Sequence, residues 1–211
     1  MPVRKIAARL GVSTSSVSYW VRGVPISPAH ERRNWEAHQG SEAQRKRTEK
    51  WSGMCRERRR QYQTDGRTFA RRGDPLHEAG CMLYWAEGAK NKNQLAFANS
   101  DLEMLRFFAG FLRRSFQVPP QDITIRLNVY LGNDLSIEEI EDHWLNALEL
   151  PRTCLRGHSL NHFPTSSSGQ RPNKLPYGVC TLRVLRSTRL VQHIFGAIQE
   201  YAGFEEPRWL G

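Results

Sequence analysis

At 211 residues, with 39% hydrophobic and 25% charged side chains, the chain can bury a core of its own without a metal or disulfide staple. No run approaches the ~18 apolar residues of a membrane span, and the N-terminus lacks an apolar signal core, which predicts a cytoplasmic, nucleoid-associated protein with no membrane partner. The four cysteines, Cys55, Cys81, Cys154 and Cys180, stand far apart, none in a zinc-type cluster, and read as reduced thiols.

The net charge of +10 is unevenly placed. Residues 1–29 hold four Lys+Arg and no acid, residues 30–73 thirteen against six, and residues 74–211 fourteen against fifteen. An excess confined to one stretch is the electrostatic footprint of a polyanion partner. A membrane surface would call for an amphipathic helix rich in large apolar residues, and residues 30–73 offer only Trp35, Trp51, Tyr62 and Phe69 as large aromatics. Nucleic acid is the favoured partner.

In chain order, residues 3–22 read VRKIAARLGVSTSSVSYWVR, two short amphipathic helices around a turn. Ala7 sits where the helices cross, and Gly11 supplies the left-handed turn residue. Ile6, Leu10, Val12, Val17 and Trp20 are the expected small core. The outer face of the second helix then carries Ser13, Thr14, Ser15, Ser18, Tyr19 and Arg22. Short hydroxyls let a helix sit deep in a major groove, and an arginine at its end reaches a guanine edge or a phosphate. This stretch resembles the helix-turn-helix units of bacterial repressors and resolvase-type DNA-binding domains. Such units carry a supporting helix upstream, for which there is no room here; either residues 28–50 supply it or a few N-terminal residues are missing.

Residues 28–73 read as a basic helical or partly disordered linker, broken near Gly40 and Gly53. Within it Arg56-Glu57-Arg58-Arg59-Arg60 is either a solvated helix face or a set of phosphate contacts, with Arg58, Arg59 and Arg60 as the candidates.

Nearly all the regular apolar periodicity lies in residues 74–211. A helix over 75–88 is followed by a short strand at 95–98 and a helix to 116, opened by a capping box of Ser100 and Glu103. Ile123, Ile125, Leu127 and Val129 alternate with Thr124, Arg126, Asn128 and Tyr130, a half-buried strand. Ser136 and Glu139 form a second capping box for a helix to 148; strands at 154–160 and 178–185 flank a polar loop, and a last helix over 188–203 stops at Gly203. Trp85 and Trp144 are expected in the core. His158 and His162 are four apart, but Gly157, Asn161 and Pro164 argue against a helix that would bring them onto one metal.

The stretch HEAGCMLYWAEGAKNKNQLAFANSDLEMLRFFAGFLRR, from His77 to Arg114, resembles the opening of a LAGLIDADG homing-endonuclease domain, in which a helix ends in an acidic residue and glycine, here Glu87 and Gly88. The resemblance implies that two such helices pair and that an acid from each holds a divalent metal, Mg²⁺, beside the scissile phosphates. With one motif in this chain it implies a homodimer. It further implies a sheet that saddles the duplex, with Arg126, Asn128, Tyr130, Arg156, His158, Thr181 and Arg183 as candidates on its DNA face. The same fold serves binding alone in regulators that have lost cleavage, and then no cofactor is needed. Two departures from the family pattern are Met82 five residues before the acid, with the glycine displaced to Gly80, and a single obvious strand where the family has a pair.

The sequence therefore predicts an α+β protein in three parts. Residues 1–27 are a helix-turn-helix unit, 28–73 a basic helical linker, and 74–211 a LAGLIDADG-like domain of helices on an antiparallel sheet. The function expected is sequence-specific binding of double-stranded DNA, as a transcriptional regulator, with a Mg²⁺-dependent endonuclease using Glu87 as the alternative.

Overall fold

Four helices of this chain start where a side-chain oxygen meets an orphan backbone N–H. The computed structural model describes residues 1–25, 27–29, 31–32, 42–130, 135–161 and 175–211, without the side chains of Ala43, Tyr130 and Asn161; within it Ser13, Asp74, Asp101 and Ser136 all act in this way. The elements are α1 (Val3–Leu10), α2 (Thr14–Trp20), α3 (Glu42–Ala70), α4 (Pro75–Glu87), β1 (Ala96–Asn99), α5 (Leu102–Phe116), β2 (Ile123–Tyr130), α6 (Ile137–Leu148), β3 (Leu155–Asn161), β4 (Val179–Val184) and α7 (Thr188–Ala202). The protein is α+β. Of residues 28–50, expected to supply the third helix of the N-terminal unit, 42–50 form the start of α3, while residue 30 and residues 33–41, Gly40 among them, lie outside those described, as do His162 and the polar loop before β4.

From α4 onward the elements follow the sequence reading closely, including the complete capping box of Ser136 and Glu139 and the left-handed Gly203 at φ +68°. The cap of α5 is different: Asp101, one residue beyond Ser100, accepts from the Met104 N–H at 3.0 Å, while Glu103 pairs with Arg106. An ionised carboxylate is the stronger acceptor at a helix N-terminus.

The four strands form one sheet in the order β1-β4-β2-β3. β1 and β2 both run antiparallel to β4, but β2 and β3 are parallel, so the sheet is mixed rather than antiparallel. The reason is α6, which lies between β2 and β3 in the chain; a crossover helix returns the chain to the end where it began. One sheet face, with Phe97, Ile125, Leu127 and Leu182 fully buried, shares a single core with Phe108, Trp144 and Phe195 of the helices. Trp85, expected in this core, is 39% exposed and stacks on Phe204 with ring centres 5.4 Å apart.

The chain divides into two compact units, Met1–Ser52 and Gly53–Gly211, so the division falls inside α3 rather than at residue 74. No break occurs at Gly53. α3 is one helix of 29 residues, about 43 Å long. Its later half belongs to the second unit because Arg59, Gln63, Gly66 and Ala70, at spacings of four, three and four, form a buried stripe. A Cβ on Gly66 would overlap the His193 carbonyl, and one on Gly196 would overlap the backbone of Gln63. The two glycines thus let α3 and α7 touch backbone to backbone. Buried glutamines complete the contact: Gln63 Nε2 donates to Gln192 Oε1 at 2.7 Å, and Gln199 Nε2 donates to Gln63 Oε1 at 3.1 Å. Gln192 also donates to the carbonyls of Lys92 and Trp209, and Gln199 accepts from the Glu206 N–H, which satisfies the amides on all sides.

Beside this crossing lie two histidines. His77 of α4, fully buried, has Nε2 3.1 Å from His193 Nε2 and Nδ1 2.8 Å from the Tyr201 hydroxyl, with the Cys81 thiol 3.7 Å away. Two facing ring nitrogens hydrogen-bond only when one carries the proton and the other does not. Burial holds both histidines down to about 4, against weaker upward pulls from Asp74 on His77 and Asp65 on His193, and burial pushes the Cys81 thiol up. The rings are held neutral by burial, His77 fully buried and His193 half-buried, and the pair is a packing contact.

Two predictions follow from these contacts. Gly66→Ala and Gly196→Ala should each destabilise the protein by about 1–3 kcal/mol, the usual range for overpacking, whereas Gly53→Ala, which meets open space in the same helix as Gly66, should stabilise by about 0.5–1 kcal/mol; urea unfolding distinguishes them. The histidine pair binds protons more readily when unfolded, so stability is complete above the unfolded value of about 6.5 and falls as pH drops toward the folded value of about 4. The loss from about pH 7 to about pH 5 should be on the order of 3 kcal/mol, and His193→Gln should flatten that slope. An equal slope in that variant would assign the acid lability elsewhere.

Candidate nucleic-acid interface

In the first unit, α1 and α2 meet at a turn where Gly11 takes φ +66° and Val12 N–H donates to the Ala7 carbonyl at 3.1 Å. Ala7 and Val17 are the buried pair, with Ile6 and Val12 half-buried beside them. Leu10 and Trp20, expected in this core, are each 59% exposed. Helices of eight and seven residues have too little surface to cover five apolar side chains.

The outer face of α2 is in solvent as the sequence predicts: Thr14, Ser15, Ser18, Tyr19 and Arg22 are exposed. Ser13 has a different duty. Its hydroxyl oxygen accepts from the Ser16 N–H at 3.0 Å and lies 2.9 Å from the Ser16 hydroxyl, so it caps the helix. The Arg22 guanidinium lies 6.0 Å from the centre of the Tyr19 ring, the outer limit of a cation–π contact.

The cations of α3 separate into two groups. Arg45, Arg47, Lys50, Arg56 and Arg58 are exposed, with no ion pair among the described residues. Arg60 pairs with Glu57, and Arg59 turns inward, where its Nε donates to the Leu210 carbonyl at 2.7 Å. Of the three arginines expected on phosphates, Arg59 is thus a structural clamp on the C-terminus. Its place in the stripe with Gln63, Gly66 and Ala70 was the available signal, hidden because the stripe is polar and small rather than apolar.

The sheet offers a second surface. On the face away from the core, Arg126 stands beside Thr181, Thr124 beside Arg183, and Asn128 beside Val179 and Ser159. Arg126 and Arg183 are exposed, and the four strands contain no Asp or Glu. Arg156 is also exposed, with Nη1 donating to the Thr153 carbonyl at 3.1 Å. The Tyr130 side chain lies outside the described residues. His158 leaves this group. Pairing of β2 with β3 moves from Ile125 with Leu155 to Leu127 with His158, so β3 carries one extra residue. That bulge reverses the alternation, and His158 faces the core side, its Nε2 2.6 Å from Glu141 Oε1.

Glu87, the last residue of α4, is exposed and forms no ion pair among the described residues. A cation already occupies this helix end: Lys90 Nζ donates to the carbonyls of Trp85 at 2.5 Å and Gly88 at 2.8 Å. Burial lowers the Lys90 pKa and the Glu87 charge raises it in opposition. The ammonium thereby satisfies orphan carbonyls at the end of α4. No group of three His, Cys, Asp or Glu among the described residues is placed to hold a metal.

Beside β1, Gly88 makes one isolated antiparallel bridge with Phe97. Gly80 is pressed against the Phe111 ring of α5, so the small residue of α4 serves packing within the chain. Comparison with protein-family models, with curated proteins and with solved structures returned no match.

Proposed function

We propose that this chain is a sequence-specific double-stranded DNA-binding protein, a transcriptional regulator. In this reading α2 enters the major groove and the exposed cations of α3 contact phosphates. The acid-free sheet face, with Arg126, Arg156 and Arg183, adds further backbone contact, as a monomer or as the homodimer that a single motif implies.

The observation that carries the reading is how the charges are matched. Asp122, Glu141, Asp142, Glu149, Glu200, Glu205 and Glu206 pair with arginines of the second unit, whereas Arg56, Arg58, Arg126, Arg156 and Arg183 of the same unit are exposed with no ion pair among the described residues. Arg4, Lys5, Arg9 and Arg22, together with the five cations of α3, stand in solvent with no ion pair among the described residues. Unmatched cations on groove-sized helices release counterions when they meet a duplex.

The test is fluorescence anisotropy on a duplex chosen by footprinting, with a supercoiled plasmid carrying the same site incubated in Mg²⁺. Binding without cleavage is expected; cleavage that Glu87→Gln abolishes would overturn the regulator reading. Arg22→Ala should weaken specific binding by about 1–3 kcal/mol while leaving random-sequence binding nearly unchanged. Arg58→Ala should reduce the salt slope by about one unit. Arg59→Ala should leave that slope alone and instead lower stability by about 1–3 kcal/mol, since the Leu210 carbonyl loses a charged donor.

A further inference from the structure

One cleft of the second unit has the form of a small-molecule site. It opens between the end of α3, the end of α5 and the start of α7, with a volume of about 550 Å³, within the usual range for ligand pockets. Its walls are apolar: Phe69, Phe116, Val118, Leu185 and Leu190. Ser115 and His193 also line it, the His193 and Phe116 rings meeting edge to face with centres 5.0 Å apart.

The mouth is cationic. Arg186 pairs with Asp122 at 3.0 Å, and Arg189 is exposed with no ion pair among the described residues, which leaves one positive charge in excess at the rim.

We infer that this cleft binds a small amphipathic monoanion, an apolar and preferably aromatic body carrying one carboxylate or sulfonate. The body lies against Phe69, Phe116 and Leu190, and the acid group meets Arg189. Such a ligand would be an effector of the DNA-binding chain, and its binding can be measured without DNA.

The test is a fluorescence titration of the full chain with anilinonaphthalene sulfonate, compared with the uncharged phenylnaphthylamine. One saturable site is expected, tighter for the sulfonate. Arg189→Glu and Leu185→Asp are both changes at exposed positions; each should weaken sulfonate binding by about tenfold or more while the thermal melt is retained. Absence of saturable binding, equal affinity for the uncharged probe, or affinities unchanged in both variants would each overturn the inference.

Discussion

Gly66 and Gly196 let the backbones of α3 and α7 meet, and three buried glutamines fill the remaining hydrogen bonds at that crossing. An apolar crossing would hold the helices by area alone. This one adds direction, because an amide left half-paired in the interior costs more than the contact returns. The register of α3 on the second unit is fixed accordingly. That register decides which arginines of the helix turn inward, as Arg59 does, and which remain in solvent, as Arg56 and Arg58 do. The His77–His193 pair and the C-terminal Leu210 are held by the same stripe of residues or their immediate neighbours.

Much of the second unit is legible from residue spacing. The alternation of Ile123, Ile125, Leu127 and Val129 marks a strand because its apolar residues have one face to bury, and Ser136 with Glu139 marks a helix start because both side chains have a backbone partner in reach. What escaped the sequence depends on non-local geometry. The parallel pairing of β2 and β3 reflects where α6 carries the chain, and the bulge in β3 moves His158 to the opposite face from the one its spacing implies. Hydropathy cannot reveal the stripe Arg59, Gln63, Gly66 and Ala70, since polar and small residues look like a solvated face. The same limit applies to Lys90, whose role is set by three carbonyls at the end of α4 rather than by any motif.

The candidate site was legible in part. Charge placement and the hydroxyl-rich face of α2 can be read from residue order alone, and those residues are exposed. Their chemistry is more differentiated than the sequence suggests. Ser13 caps a helix, Arg59 clamps the C-terminus and Arg60 faces Glu57, while Arg22, Arg58, Arg126 and Arg183 keep their charges open. An arginine whose hydrogen bonds are already made inside the protein offers little to a phosphate, whereas an exposed one displaces counterions at low cost. Pairing within the protein thus sorts the cations, and on the proposed reading the remainder is the surface that meets DNA.

The most direct measurement is the affinity of the full chain for a random-sequence duplex across a salt series. The account predicts binding at low ionic strength that weakens steeply, with a log–log slope of several units, because several unmatched cations act together. Indifference to duplex DNA at low salt, or an affinity that does not change with salt, would contradict it.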